Sequence, residues 1–124
     1  MFDCRGSWKP LVTGQPVRWR ESFLFEYFLE ANYPTTPTVV AVRTATAKLI
    51  KYPGHDEWTE LFDLGRDPYE IRNLVRDPAA RDLLGRMNAE FDAQVKATGF
   101  HIPDYADKPG DVPVTKKAKA KKKQ

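Results

Sequence analysis

Apolar residues along this chain recur at two different periods. Between residues 22 and 28, Phe23, Phe25 and Tyr27 alternate with Ser22, Leu24 and Glu26, the period of two expected when successive side chains point to opposite faces of a strand. Asn32, Pro34, Thr35, Thr36 and Pro37 then force a turn. The run Thr-Val-Val-Ala-Val-Arg-Thr over 38–44 is rich in β-branched residues and predicts a second, central strand. Residues 47–52 set Leu49 on one face and Ile50 and Tyr52 on the other, the spacing of a hairpin partner that ends at Pro53-Gly54. Residues 58–64 keep Leu61, Phe62 and Leu64 and predict a shorter fourth strand.

The period then changes. Ala80, Leu84, Met87, Phe91 and Val95 recur at steps of three and four, with Arg81, Arg86, Glu90 and Asp92 off that stripe, which predicts an amphipathic helix. Asp77-Pro78 supplies its start signal. Gly99 supplies a left-handed cap, with Phe100 able to fold back onto Val95. Upstream, Asp67-Pro68-Tyr69-Glu70 reads as a capping box that opens one helical turn toward Asn73. The expected fold class is α+β, a small four-stranded antiparallel sheet packed against one C-terminal amphipathic helix. Residues 1–107 form one domain, with an irregular lead-in over 1–20 pinned by buried aromatics, a sheet over 21–64 and a helical part over 67–99.

Charge divides the chain. Its formal net charge is +3, but Lys116, Lys117, Lys119, Lys121, Lys122 and Lys123 contribute six positive charges, which leaves residues 1–115 at −3. Residues 108–124 are therefore expected to be an extended, disordered basic tail, since a block of like charge without apolar periodicity cannot offset the entropy of ordering. A length of 124 residues allows one modest core. Cys4 is the only cysteine, which excludes an internal disulfide and a cysteine-based zinc cluster. No run is long and apolar enough for a membrane span, and the first residues lack a signal pattern. A membrane is not an expected partner.

Candidate chemistry is sparse. The only histidines, His55 and His101, fall in loops and outside any nucleophile or metal motif. His55-Asp56-Glu57 places a titratable ring beside two carboxylates and could meet a polar ligand or a sugar hydroxyl; a solvated hairpin loop is the plainer alternative. Glu26-Tyr27 sets a carboxylate within an apolar strand, where it either walls a site or points outward from a sheet edge. Arg43 poses the same question in the second strand, with a structural ion pair to Glu26 or Glu60 as the plainer answer.

The order of the pieces is more specific than any one of them. Gly6-Ser7-Trp8-Lys9-Pro10-Leu11 with Gly14, Trp19-Arg20-Glu21, Phe25-Glu26-Tyr27, Thr36-Pro37-Thr38, Val42-Arg43-Thr44, Lys48-Leu49-Ile50-Lys51-Tyr52, Glu60-Leu61-Phe62-Asp63-Leu64, Asp67-Pro68-Tyr69-Glu70 and Asn73-Leu74 follow one another. This succession resembles the C-terminal region of the type I sulfatases over roughly residues 5–98.

The resemblance implies a family that hydrolyses sulfate esters, in some members sulfamates, with a formylglycine made from Cys or Ser and a bound calcium ion. Both belong to a larger N-terminal domain. The family's nucleophile motif is Cys or Ser, any residue, Pro or Ala, any residue, Arg; Cys4-Arg5-Gly6-Ser7-Trp8 fails it at the third and fifth positions, and the paired-Asp calcium motif is absent. The resemblance therefore transfers no catalytic residue, metal ligand or cofactor to this chain. It implies a subdomain that buttresses the catalytic domain and lends loops to the substrate rim, with Glu26, Tyr27, His55, Asp56 and Glu57 as rim candidates. Arg43, Asp63, Asp67, Glu70 and Asn73 are expected in structural roles. The implied partners are the N-terminal catalytic domain of the same parent chain and, in the intact enzyme, a sulfated substrate. Nucleic acid is not expected. By the same resemblance a parent enzyme would be periplasmic or secreted. Part of the apolar surface of residues 1–40 should then lack a cover within the chain. A stand-alone binding module with a basic tail is the competing reading, and a self-sufficient hydrolase is disfavoured by the missing constellation.

Overall fold

A computed structural model describes residues 7–30, 33 and 35–102. A single helical turn, α1 (Lys9–Val12), precedes β1 (Ser22–Tyr27), β2 (Val39–Thr44), β3 (Ala47–Lys51), β4 (Glu60–Asp63) and α2 (Arg81–Thr98). The four strands form one antiparallel sheet in the order β1-β2-β3-β4, and α2 lies across one face. The expected α+β architecture is therefore the one the chain adopts. The basic tail over 108–124 and the start of the lead-in lie outside the described residues, as do the positions 31, 32 and 34 of the expected turn.

Register explains the core. Leu24 lies opposite Val42, Val42 opposite Leu49, and Leu49 opposite Leu61, so one transverse row of aliphatic side chains faces α2. Val42, Leu49 and Leu61 are fully buried there with Ala47 and Met87, and Leu83, Leu84 and Phe91 of the helix pack against them. Each such side chain withdrawn from water contributes about 1.5–3 kcal/mol, so this row is the main source of the sheet's attachment to α2. The same parity puts Phe23, Arg43, Lys48 and Phe62 in one row of the opposite face, and Phe25, Ala41, Ile50 and Glu60 in the next.

Local signals set the ends of α2. The Asp77 carboxylate accepts from the Ala79 N–H at 2.9 Å, and a 3₁₀ turn over Pro78–Ala80 leads into the helix. Gly99 adopts φ 63°, and the Phe100 N–H donates to the Val95 carbonyl at 3.1 Å, the left-handed cap that glycine accommodates without a Cβ clash. The Phe100 ring stacks on Phe28, with centroids 6.2 Å apart.

Three local expectations are corrected. Trp58 lies in a 3₁₀ turn, Asp56–Trp58, and β4 begins only at Glu60. Residues 67–73 form no helical turn; the Asp67 carboxylate accepts from the Ile71 and Arg72 N–H groups at 3.1 and 2.9 Å, while Glu70 takes φ 55° and pairs with Lys48. That long-range ion pair draws Glu70 away from the reciprocal bond a capping box needs. In the lead-in, Trp8 is 69% exposed, with Leu11, Val12 and Val17 also exposed, so buried aromatics do not pin it as a whole; of the two tryptophans only Trp19 is half-buried.

The edge strand β4 is not bare. Asn73 Oδ1 accepts from the Leu61 and Val75 N–H groups at 3.0 Å each, its Nδ2 donates to the Thr59 carbonyl at 3.2 Å, and the Leu74 N–H donates to the Leu61 carbonyl at 2.8 Å. This covers an edge that would otherwise expose unpaired backbone groups. Among the described residues, no helix is long and apolar enough to cross a membrane.

Candidate functional site

Antiparallel pairing brings the two groups of rim candidates to one end of the sheet. Tyr27 lies opposite Val39, Val40 opposite Lys51, and Ile50 opposite Glu60, so the end of β1 and the β3–β4 loop share that end. They stay two strand spacings apart, roughly 10 Å. Glu26 is exposed on the helix-side face, whereas Tyr27 is half-buried on the other. Burial raises the Tyr27 hydroxyl above the ordinary tyrosine range, and the negative charge and hydrogen bonding of Glu30 add to that shift.

The β3–β4 loop is the better-built group. Gly54 takes φ 85° and permits the sharp reversal after β3. The His55 N–H donates to the Tyr52 carbonyl at 2.8 Å, the Trp58 N–H to the His55 carbonyl at 3.0 Å, and the Thr59 hydroxyl to the Asp56 carbonyl at 2.7 Å. This tight turn lays the His55 ring flat on Trp58, with centroids 3.8 Å apart and planes within 7°. Tyr52 meets Trp58 edge-on at 5.9 Å, an arrangement favoured by the ring quadrupoles. Its hydroxyl donates to Glu60 Oε2 at 2.7 Å. Burial, reinforced by that bond and by the Glu60 charge, pushes the Tyr52 hydroxyl up to about 12. The His55 Nδ1 lies 3.5 Å from Glu57 Oε1, and Asp56 and Glu57 are exposed.

The residues expected to be structural occupy turns and surfaces outside this loop, with Asn73 bonded to its last residue, Thr59. Asp63 Oδ1 accepts from the Gly65 and Arg66 N–H groups at 3.1 and 3.2 Å. The N–H groups of Arg72 and Ile71, in that order, hold the Asp67 carboxyl below its usual range. Glu70 joins its turn to Lys48, and Asn73 fastens the chain to β4. The ion pair expected for Arg43 does not form among the described residues. Glu26 lies on the other face, and Glu60 is held by Tyr52.

Two features escaped the sequence reading. Tyr52, Trp58 and Glu60 complete the loop cluster; the aromatic residues flanking Pro53-Gly54 were its available signal. A cleft of about 760 Å³ also opens between the lead-in, the β2–β3 turn and α2, with Trp19, Arg20, Ser22, Arg86, Glu90 and Gln94 in its wall. There the Ser22 hydroxyl donates to Glu90 and accepts from the Gln94 amide, so it is held in a closed polar triad and has no histidine to activate it. Among the described residues, no group of three or more His, Cys, Asp or Glu is placed to hold a metal. The calcium site of the sulfatases has no fit in these residues.

Residues 3–97 match the family described as N-sulphoglucosamine sulphohydrolase, C-terminal. The chain belongs to that family. No curated protein matches it. Among solved structures, BT4656, a structure with its substrate D-glucosamine-2-N,6-O-disulfate, is similar at TM-score 0.67 and 22% identity, over 80% of this chain and 21% of that one. BT1596, a 2-O GAG sulfatase, is similar at TM-score 0.63 and 21% identity, over 88% of this chain and 24% of that one. A third, from Bacteroides thetaiotaomicron and named a sulfatase, gives TM-score 0.65 and 21% identity over the same shares. The chain thus spans less than a quarter of the length of these structures. At such identities the likeness shows the fold alone.

Proposed function

We propose that this chain is the C-terminal part of an enzyme that hydrolyses sulfuric esters, and that it buttresses the catalytic domain and contributes to the rim of the substrate cleft. The family match over residues 3–97 carries this reading. The uneven cover of the sheet supports it: Phe23 and Phe25 stay 40% and 37% exposed on the β1 side of the open face, and Trp8, Leu11, Val12 and Val17 of the lead-in are exposed as well. Contiguous exposed apolar surface of this kind marks a site of contact. The larger remainder of a sulfatase is the partner of matching origin.

In this reading the formylglycine and the calcium ion belong to the catalytic domain, where they would supply the nucleophile and the electrophilic assistance. This chain's own residues shape and position. Asn73, Asp63 and Asp67 fix the turns beside β4, and the tight β3–β4 loop holds His55, Asp56 and Glu57 toward a sulfated substrate. Glu26 and Tyr27 belong to the same end and would form a second, more distant part of the rim.

The test is turnover of an aryl sulfate by the chain alone, by the large domain from the same reading frame alone, and by both together. No turnover by the chain and a gain on mixing are expected. Turnover by the unaided chain, or a large domain indifferent to its presence, would overturn the reading.

A further inference from the structure

We propose that the free edge of β1 takes up a strand of the large catalytic domain, which extends the four-stranded sheet to five. The two edges of this sheet differ. At β4, Asn73 accepts from the Leu61 N–H and the Leu74 N–H donates to the Leu61 carbonyl, so the following turn occupies that edge. At β1, the backbone of Ser22–Tyr27 pairs with β2 on one side, and among the described residues none of its N–H or carbonyl groups bonds to any other part of the chain. Antiparallel pairing directs the N–H and carbonyl of every second residue away from the neighbouring strand. A six-residue strand therefore leaves about three such pairs of groups open.

The edge lacks the devices that keep such a row unpaired. Proteins blunt an edge with proline, lysine, a bulge or a very short strand, whereas Ser-Phe-Leu-Phe-Glu-Tyr holds a single charged residue and pairs in continuous register over all six positions. It is also fixed in place before a partner arrives. The Ser22 side chain is bonded to Glu90 and Gln94 of α2, and Leu24 packs against the core. Preorganisation of this kind lowers the entropy cost of binding.

The open row specifies the kind of partner. An extended segment presents complementary donors and acceptors at the same repeat, and in strand addition these main-chain bonds carry affinity while alternate side chains carry specificity. On the open face the added strand lays apolar side chains beside Phe23 and Phe25, and on the helix side it meets the exposed Glu26. Its sequence is therefore apolar at alternate positions, with a hydrogen-bond donor or a cation beside Glu26. The edge is continuous with the Phe23 and Phe25 surface attributed above to the large domain, and this chain spans under a quarter of each matched structure. Naming that domain as the source rests on the function proposed above; the unpaired edge does not.

The test is amide hydrogen exchange, read by NMR on the isotope-labelled full chain, alone and in complex with the large domain from the same reading frame. In the complex, the β1 N–H groups that do not bond β2 should exchange at least about tenfold more slowly, while those that already bond β2 change far less. A complex in which the outward groups exchange as they do in the free chain would overturn the strand pairing and leave the proposed function standing. Equal slowing of both sets, the mark of a covered face without added backbone bonds, would do the same. Equal protection in the chain alone at the same concentration would assign the edge to a second copy and overturn the proposal. If no complex forms, this inference fails together with the function on which its partner rests.

Discussion

The two faces of one sheet have opposite fates. On the helix side, Leu24, Val42, Leu49 and Leu61 meet Met87, Leu83, Leu84 and Phe91, and the row is closed. On the other side, the 64–72 turn reaches over the β4 half through the Lys48–Glu70 pair, and Phe62 is only 5% exposed. The β1 half is more open: Phe23 and Phe25 meet at 6.3 Å and stay 40% and 37% exposed, with Arg20 over the Phe23 ring at 5.9 Å. The first face stabilises the fold, and the second leaves apolar side chains exposed. The same alternation of residues produced both.

Substitutions should separate these roles, the closed face giving the larger loss of stability. Leu49→Ala, at a fully buried position in the centre of the aliphatic row, should cost about 2–5 kcal/mol, read as a lowered urea midpoint. Asn73→Ala removes the acceptor for the half-buried Leu61 N–H and the exposed Val75 N–H and should cost about 0.5–1.5 kcal/mol, the net contribution of such hydrogen bonds. Hydrogen exchange should rise first at Leu61 and Val75. Phe23→Ser with Phe25→Ser should change stability by under about 1 kcal/mol in the chain alone, as expected for exposed positions, yet reduce, in sedimentation velocity, the self-association that an uncovered apolar patch predicts for the chain without its large domain. Loss of the fold in this pair would show that the open face is part of the core.

Alkaline pH should give the smallest effect, confined to the β3–β4 loop. The folded state holds the Tyr52 proton up to about 12, above the ordinary tyrosine value of 10.0. The Tyr52–Glu60 bond therefore contributes fully below pH 10, and its contribution is lost as pH rises from there toward 12. The melting temperature of the wild type should fall more steeply over that window than that of Tyr52→Phe.

Much of this architecture was legible because its causes are local. The β-branched run of β2, the three-and-four spacing of α2, the Asp77-Pro78 start and the Gly99 cap each act within a few residues. What was hidden depends on distant partners. Glu70 follows Asp67 as a capping residue would, but Lys48, 22 positions earlier, claims it. Phe23, Phe25 and Tyr27 alternate identically whichever face a helix covers, so the alternation could not name the open side. The rim candidates His55, Asp56 and Glu57 were visible as a polar cluster, whereas the stacking of His55 on Trp58 exists only because the loop tightens into a 3₁₀ turn.

The claim on which the account turns is that the open face is made for a larger domain. Sedimentation velocity of the chain mixed with the large sulfatase domain from its own reading frame tests this most directly. A one-to-one complex with the wild-type chain, lost in the Phe23→Ser, Phe25→Ser pair while Trp58→Ala still binds, is the predicted result. A folded chain that forms no complex, or a complex indifferent to both phenylalanines, would contradict it.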